Sequence, residues 1–264
     1  MWLDSHCHVS AEDFDADREE VLARAWAGGL EGLVAIGSGY GVAGNARAIE
    51  LALADPRVFA TAGVHPHDAA ELDAHGRILL AGWLAHPRVV AVGECGLDYH
   101  YLRSPRAVQR EVLAWQLALA REHKLPVSLH VRGEEPDAFA ELLEIWRAVG
   151  AGALEGVLHC YTGTLDFARR ALDEGLEVSF SGILTFKRDR GLREVARALP
   201  LDRLLVETDA PLLAPEGLRG RRNEPFHVAR VGAVLAELHG VGLEEVARAT
   251  TRNARRLFRL PEPR

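Results

Sequence analysis

Eight short apolar runs recur along the chain, separated by longer stretches with helical periodicity. No other feature narrows the possible folds as much. The runs cover residues 1–5, 32–36, 58–64, 89–92, 126–129, 154–158, 177–180 and 203–206, and each reads as a strand. Between them, Val108, Val112, Trp115 and Leu119 recur at helical spacing, as do Phe139, Leu142, Leu143 and Trp146. Val228, Val231, Val234, Leu235 and Leu238 mark a further helix, followed by a terminal one over residues 243–258. The strand ends fall near residues 8, 37, 65, 94, 130, 159, 181 and 209, and most steps are about 29 residues, close to one βαβ unit. Eight such units fill the chain and predict an α/β fold, a (β/α)8 TIM barrel with its active site at the carboxyl ends of the strands. The competing fold is an open doubly wound sheet, but no glycine-rich fingerprint follows the first strand. No linker, low-complexity tract or charge block divides residues 1–264, so one domain is expected.

Composition excludes several classes of function. No apolar run approaches the roughly 20 residues of a membrane span. The start at Met1 runs into Asp4 and His6 without a basic or apolar leader, which predicts a cytoplasmic protein. Cys7, Cys95 and Cys160 are an odd, widely spaced set, so reduced, packed thiols are expected rather than a disulfide framework. A formal net charge of −7 gives no global attraction to nucleic acid. A polyanionic substrate would need a local basic patch or bound cations.

The chemically capable side chains gather at the predicted strand ends. His6 and His8 follow the first run, and alternation along an extended segment puts them on one side, with Cys7 on the other. His65 and His67 follow the third run, Glu94 and Asp98 the fourth, His130 the fifth, His159 the sixth and Asp209 the eighth. A barrel brings such residues to one mouth. By contrast, His75, His86, His123, His227 and His239 lie in helical or loop segments and read as ordinary surface or cap residues.

Four histidines and two carboxylates are too many ligands for one zinc ion and suit two cations sharing a carboxylate. His6, His8, Glu94 and Asp209 are assigned to one cation, and Glu94, His130 and His159 to the other. Two divalent ions roughly 3.5–4 Å apart bind a bridging hydroxide and clamp an oxygen under attack. Glu94 and Asp209 are therefore the expected catalytic residues, with Asp209 placed to take a proton from the attacking water. His65 either contacts a substrate oxygen or is structural. Arg219, Arg221 and Arg222 follow the eighth strand and are either phosphate contacts or part of a solvated loop, with a helix start at Pro225. A nitrogen- and oxygen-donor set rich in histidine suits Mn, Zn or Co, whereas Mg favours oxygen ligands and retained water.

Taken in order, these motifs resemble those of the TatD-type metal-dependent deoxyribonucleases, within the metallo-dependent hydrolase (amidohydrolase-like) barrel group. The resemblance rests on Asp4-Ser5-His6-Cys7-His8, Gly63-Val64-His65-Pro66-His67, Gly93-Glu94-Cys95-Gly96-Leu97-Asp98-Tyr99 and His130. It continues through His159-Cys160-Tyr161-Thr162-Gly163, Glu207-Thr208-Asp209-Ala210-Pro211, Arg222-Asn223-Glu224-Pro225 and Thr251-Arg252-Asn253-Ala254. It implies metal ligands at His6, His8, Glu94, His130, His159 and Asp209, Mg or Mn as cofactor, and a substrate role for His65. It also implies DNA cleavage, often from a 3′ end, with links to DNA repair and degradation, and some related proteins are credited with deacylating mischarged tRNA. Val9-Ser10 and Tyr161-Thr162 depart from the residues common in the family, without loss of a ligand.

The expected protein is thus a monomeric, cytoplasmic 3′–5′ exonuclease of DNA that uses two divalent cations (Mg, Mn or Zn) and a metal-bound hydroxide. The alternative is a metal-dependent ester or amide hydrolase acting on an aminoacyl-tRNA, the same cation pair polarising a carbonyl instead.

Overall fold

A computed structural model describes residues 1–134, 137–188 and 190–261. Strands and helices alternate throughout. The strands are β1 (Trp2–Cys7), β2 (Leu30–Ala35), β3 (Val58–Ala62), β4 (Val89–Asp98), β5 (Val127–Arg132), β6 (Gly156–Leu158), β7 (Leu176–Phe180) and β8 (Leu204–Val206). The helices are α1 (Arg18–Ala27), α2 (Gly44–Ala54), α3 (Ala74–Leu84), α4 (Arg106–His123), α5 (Asp137–Gly150), α6 (Leu165–Asp173), α7 (Arg190–Ala198), α8 (Val228–His239) and α9 (Leu243–Phe258). Eight strands, each followed by at least one helix, make up the expected (β/α)8 alternation among the described residues.

The residues fall into two compact units. The first gathers Met1–Ala35, His159–Leu172 and Glu177–Arg264, and the second Ile36–Leu158 with Asp173–Leu176. Within the first, β1 pairs parallel with β2 and β7 with β8. β8 also closes onto β1. The Ser5 hydroxyl donates to Val206 O, Asp209 N–H to His6 O, and His8 N–H to Ala210 O. Within the second, β3, β4, β5 and β6 pair in that order, all parallel. β1, β3, β6, β7 and β8 are buried along their whole length, as parallel strands covered on both faces should be. No helix among the described residues is long and apolar enough to cross a membrane.

Two local readings need correction. β4 extends well past the apolar run at 89–92, through Glu94 to Asp98. It remains paired with β5 as far as Asp98 opposite Arg132, after a register shift between Gly93 and Cys95. Polar residues at its end hid that extension. In α4 the buried face carries Gln109, Val112, Leu113, Gln116, Leu117 and Ala120 rather than the stripe through Val108 and Trp115. Two of these are glutamines whose amides satisfy backbone groups. Gln116 accepts from Val64 N–H and donates to Val64 O, at 2.8 and 3.0 Å. Gln109 does the same at Asp98, at 2.8 and 3.0 Å, and also donates to Ser104 O. An amide used in this way is buried because the strand end needs a donor and an acceptor. These clamps hold the backbone just before His65 and at Asp98.

Candidate metal centre

The first unit carries one buried cluster. His6 stands on β1, and His8 follows it by the expected alternation. Asp209 follows β8 in the left-handed region, φ 56°, which an aspartate tolerates better than most residues. Its Oδ1 lies 3.7 Å from His6 Nε2 and 3.4 Å from His8 Nε2. Burial pushes the Asp209 carboxyl up. A hydrogen bond from His8 and the nearby imidazoles of His6, His8 and His159 outweigh that effect, and the group ends below its ordinary value. The His159 ring stacks on His6, centroids 3.8 Å apart.

Two carboxylates support this cluster. Glu207, fully buried, places Oε1 3.2 Å from His159 Nδ1 and accepts Cys160 N–H at 2.8 Å. In the neutral tautomer that this contact favours, the His159 proton sits on Nδ1 and the lone pair on Nε2. Asp4 turns its carboxylate to Thr208, accepting from both N–H and Oγ1–H, and so ties β1 to the loop that carries Asp209. Burial raises the Asp4 carboxyl well above its ordinary value.

The second unit carries its own cluster of His65, Glu94 and His130, with ligand atoms within 4.8 Å of one another. Glu94 Oε1 lies 2.9 Å from His130 Nδ1 and 3.5 Å from His65 Nε2. On the other side of the His130 ring, Nε2 meets Asp98 Oδ2 at 3.2 Å, and His67 Nε2 meets the same oxygen at 2.9 Å. Burial opposes ionisation of Asp98, but hydrogen bonds from His130, Tyr101 N–H and His67 hold it well below the usual carboxylate range. His65 Nδ1 accepts His67 N–H at 3.1 Å. Burial lowers the His65 pKa against the pull of Glu94. The neutral ring therefore carries its proton on Nε2, as a donor facing Glu94.

The first cluster, and the Glu94–His130 pair of the second, fit a divalent cation by donor chemistry and spacing, while His65, with its proton on Nε2, stands beside that pair as a donor. Bonds of about 2.1 Å place neighbouring ligand atoms about 3.0 Å apart in an octahedron and about 3.4 Å apart in a tetrahedron. The separations above run from 2.9 to 3.7 Å. Imidazole and carboxylate without thiolate suit Mn, Zn or Co, and allow Mg with retained water. The thiols stay out of the clusters. Cys7 donates to Val34 O, and burial raises the pKa of both Cys7 and Cys95. Cys160 is half-buried against the Ser181 hydroxyl.

The expected site residues are thus buried or half-buried at strand ends, His6, His8 and Asp209 in one cluster with His159 stacked on His6, and Glu94 and His130 in the other, joined there by His65. The arginines are arranged differently. Arg222 forks onto Asp17 at 2.8 and 2.5 Å and lies over the Phe14 ring. It ties the β8 loop to the start of α1. Arg219 lies over Phe186, and Arg221 is exposed. Asn223, next in that motif, donates to Thr208 O and orients His227. Sequence reasoning gave no role to Asp98, Glu207 or His67. The available signal was their position beside an expected ligand in a strand-end motif, but which imidazole each faces is a tertiary fact.

The family model described as "TatD related DNase" matches residues 3–259. An uncharacterised metal-dependent hydrolase of Bacillus subtilis is 41% identical over 98% of this chain and 100% of its own length. A 3′-5′ ssDNA/RNA exonuclease TatD of Pantoea vagans is 39% identical over 98% of this chain and 99% of its own. Among solved structures, the TatD homologue YjjV of Escherichia coli superposes with a TM-score of 0.88 at 32% identity, covering 98% of both chains. Strand–helix alternation, strand-end histidines and carboxylates, and these likenesses agree: this chain has the (β/α)8 barrel fold and belongs to the TatD family of metal-dependent hydrolases.

Proposed function

We propose that the whole chain acts as one catalytic domain that hydrolyses phosphodiester bonds of single-stranded DNA from the 3′ end. The observation that carries this reading is the pair of buried imidazole–carboxylate clusters with cation-compatible spacing. The relatives named as exonucleases support the choice of substrate. The proposed ligand set is His6, His8, Glu94, His130, His159 and Asp209, with two divalent cations. When bound, such cations supply Lewis acidity and lower the pKa of water.

The chain's own residues do the rest. Asp209 takes the proton of the attacking water, a role that its lowered pKa keeps available at neutral pH. The Nε2–H of His65 donates to a substrate oxygen. Asp98 and Glu207 hold the rings of His130 and His159 in the required tautomer. Arg219 and Arg221 supply phosphate contacts, while Arg222 acts through the loop it anchors. The protein works as a monomer in the cytoplasm, in DNA repair or degradation, a reading that suits cysteines held as thiols.

The test is release of nucleotides from labelled single-stranded DNA by enzyme freed of contaminating nucleases, with and without Mn or Mg. Glu94→Ala and His130→Ala are expected to abolish it. Full activity in either variant overturns the proposal. Cleavage of an acyl ester by protein inactive on DNA would establish the alternative chemistry.

A further inference from the structure

The loop after β4 carries an exposed aromatic side chain whose surroundings suit a nucleotide base. Tyr101 is 50% exposed and Leu102 beside it 47%. Leu102 adopts a left-handed backbone, φ 49°. The Arg132 guanidinium lies over the Tyr101 ring at 4.7 Å, and that of Arg103 at 5.9 Å. This loop is not loose surface. Asp98 Oδ1 accepts the N–H groups of His100 and Tyr101, at 3.0 and 2.8 Å. The other oxygen of that carboxylate holds His67 and His130. The Tyr101 ring meets His67 edge to face at 5.5 Å, and His67 lies 6.4 Å from the His130 ring. Two ring steps therefore separate the exposed phenol from the His65–Glu94–His130 cluster.

We infer that Tyr101, flanked by Arg132 and Arg103, is a stacking ledge for an unpaired base of the nucleic acid whose phosphate reaches that cluster. This rests on the phosphodiesterase reading and gives it a specificity element. Stacking on an aromatic face is tolerant of base identity but requires a base free of its duplex partner. Guanidinium groups beside the ring stack with bases and fork onto phosphate oxygens. In a chain of formal charge −7, two arginines at one ring, Arg103 from the loop after β4 and Arg132 at the end of β5, supply the local complementarity that the whole molecule lacks. Asp98 fixes both the ledge backbone and the His130 ring, so base and phosphate positions are set from one carboxylate.

The test uses full-length protein and single-stranded DNA with 2-aminopurine at its 3′ end. Binding to metal-free wild type is expected to quench the fluorescence by stacking, and Tyr101→Ala to abolish the quench. With Mn added, Tyr101→Ala should raise KM roughly tenfold, the effect of removing one base–aromatic stack. Tyr101→Phe should restore both readouts, because it keeps the ring and removes only the hydroxyl. Arg132→Gln should raise KM and make the loss of binding with salt shallower, because one fewer phosphate charge is neutralised. Quenching and KM that are indifferent to Tyr101→Ala overturn the ledge. Wild type that cuts no DNA overturns the phosphodiesterase reading instead, and Tyr101-dependent quenching still decides the ledge on its own. Quenching equally strong with a fully paired 3′ end would also overturn it, since a paired base has no free face to offer.

Discussion

Replacing Glu207 with alanine should loosen cation binding without touching a proposed ligand. Glu207 is fully buried, and its Oε1 faces His159 Nδ1 at 3.2 Å and Cys160 N–H at 2.8 Å. The first contact fixes the tautomer that presents Nε2 of His159. Losing such a carboxylate lowers metal affinity about 10- to 100-fold, or about 1.4–2.8 kcal/mol. The second contact supports Cys160 in a left-handed conformation, φ 45°, unusual for a residue with a side chain. Removing that acceptor costs about 1–3 kcal/mol of folding stability. Two separable losses are therefore expected, one in cation affinity and one in the stability of the metal-free protein. Glu207→Gln keeps an acceptor for both donors and should recover most of the stability but less of the affinity. Competition against a chelator measures the first, and urea unfolding without metal the second. Nitrogen-15 NMR of the His159 ring reports whether the proton has left Nδ1. Unchanged affinity and an unchanged tautomer in Glu207→Ala would refute the orienting role, whatever happened to stability.

Two further outcomes follow from the supports of the second cluster. Gln116→Ala removes both hydrogen bonds at Val64 and opens a buried gap. It should cost about 2–4 kcal/mol in urea unfolding, and Gln116→Leu should not rescue it, since Val64 would still lack a donor and an acceptor. Asp98 is held below the carboxylate range in the folded protein, so its ionised form stabilises the fold above the unfolded value, near about pH 4. That contribution disappears as pH falls toward the lower folded pKa. The stability gap between metal-free wild type and Asp98→Asn should then be constant from pH 7 to about 5 and narrow below about 4; a gap that ignores pH would count against the assignment.

Much of the fold and of the candidate chemistry could be read along the chain. The alternation of apolar runs and helical stripes fixes the (β/α)8 order because each element must bury an apolar face with its own period. The His6–His8 pair was legible because a two-residue spacing means one side of a strand. His65, Glu94, His130 and Asp209 were legible because each ends an apolar run, where a polar side chain requires a reason. Partnership was not legible. Whether Asp98 faces His130, Glu207 faces His159, or Arg222 faces Asp17 depends on residues 32, 48 and 205 positions apart, and no local pattern encodes such a meeting. Polar residues that serve the backbone were hidden for a related reason. Gln109 and Gln116 look like the outer face of α4 until the strand ends they satisfy are present, and β4 looks finished at Val92 until β5 pairs with it as far as Asp98. Local periodicity decides which elements form, because burial acts on each segment's own side chains. The ligand tautomers, the clamps and the ledge at Tyr101 were decided only in the tertiary structure, because hydrogen bonds act over about 3 Å between groups the chain must first bring together.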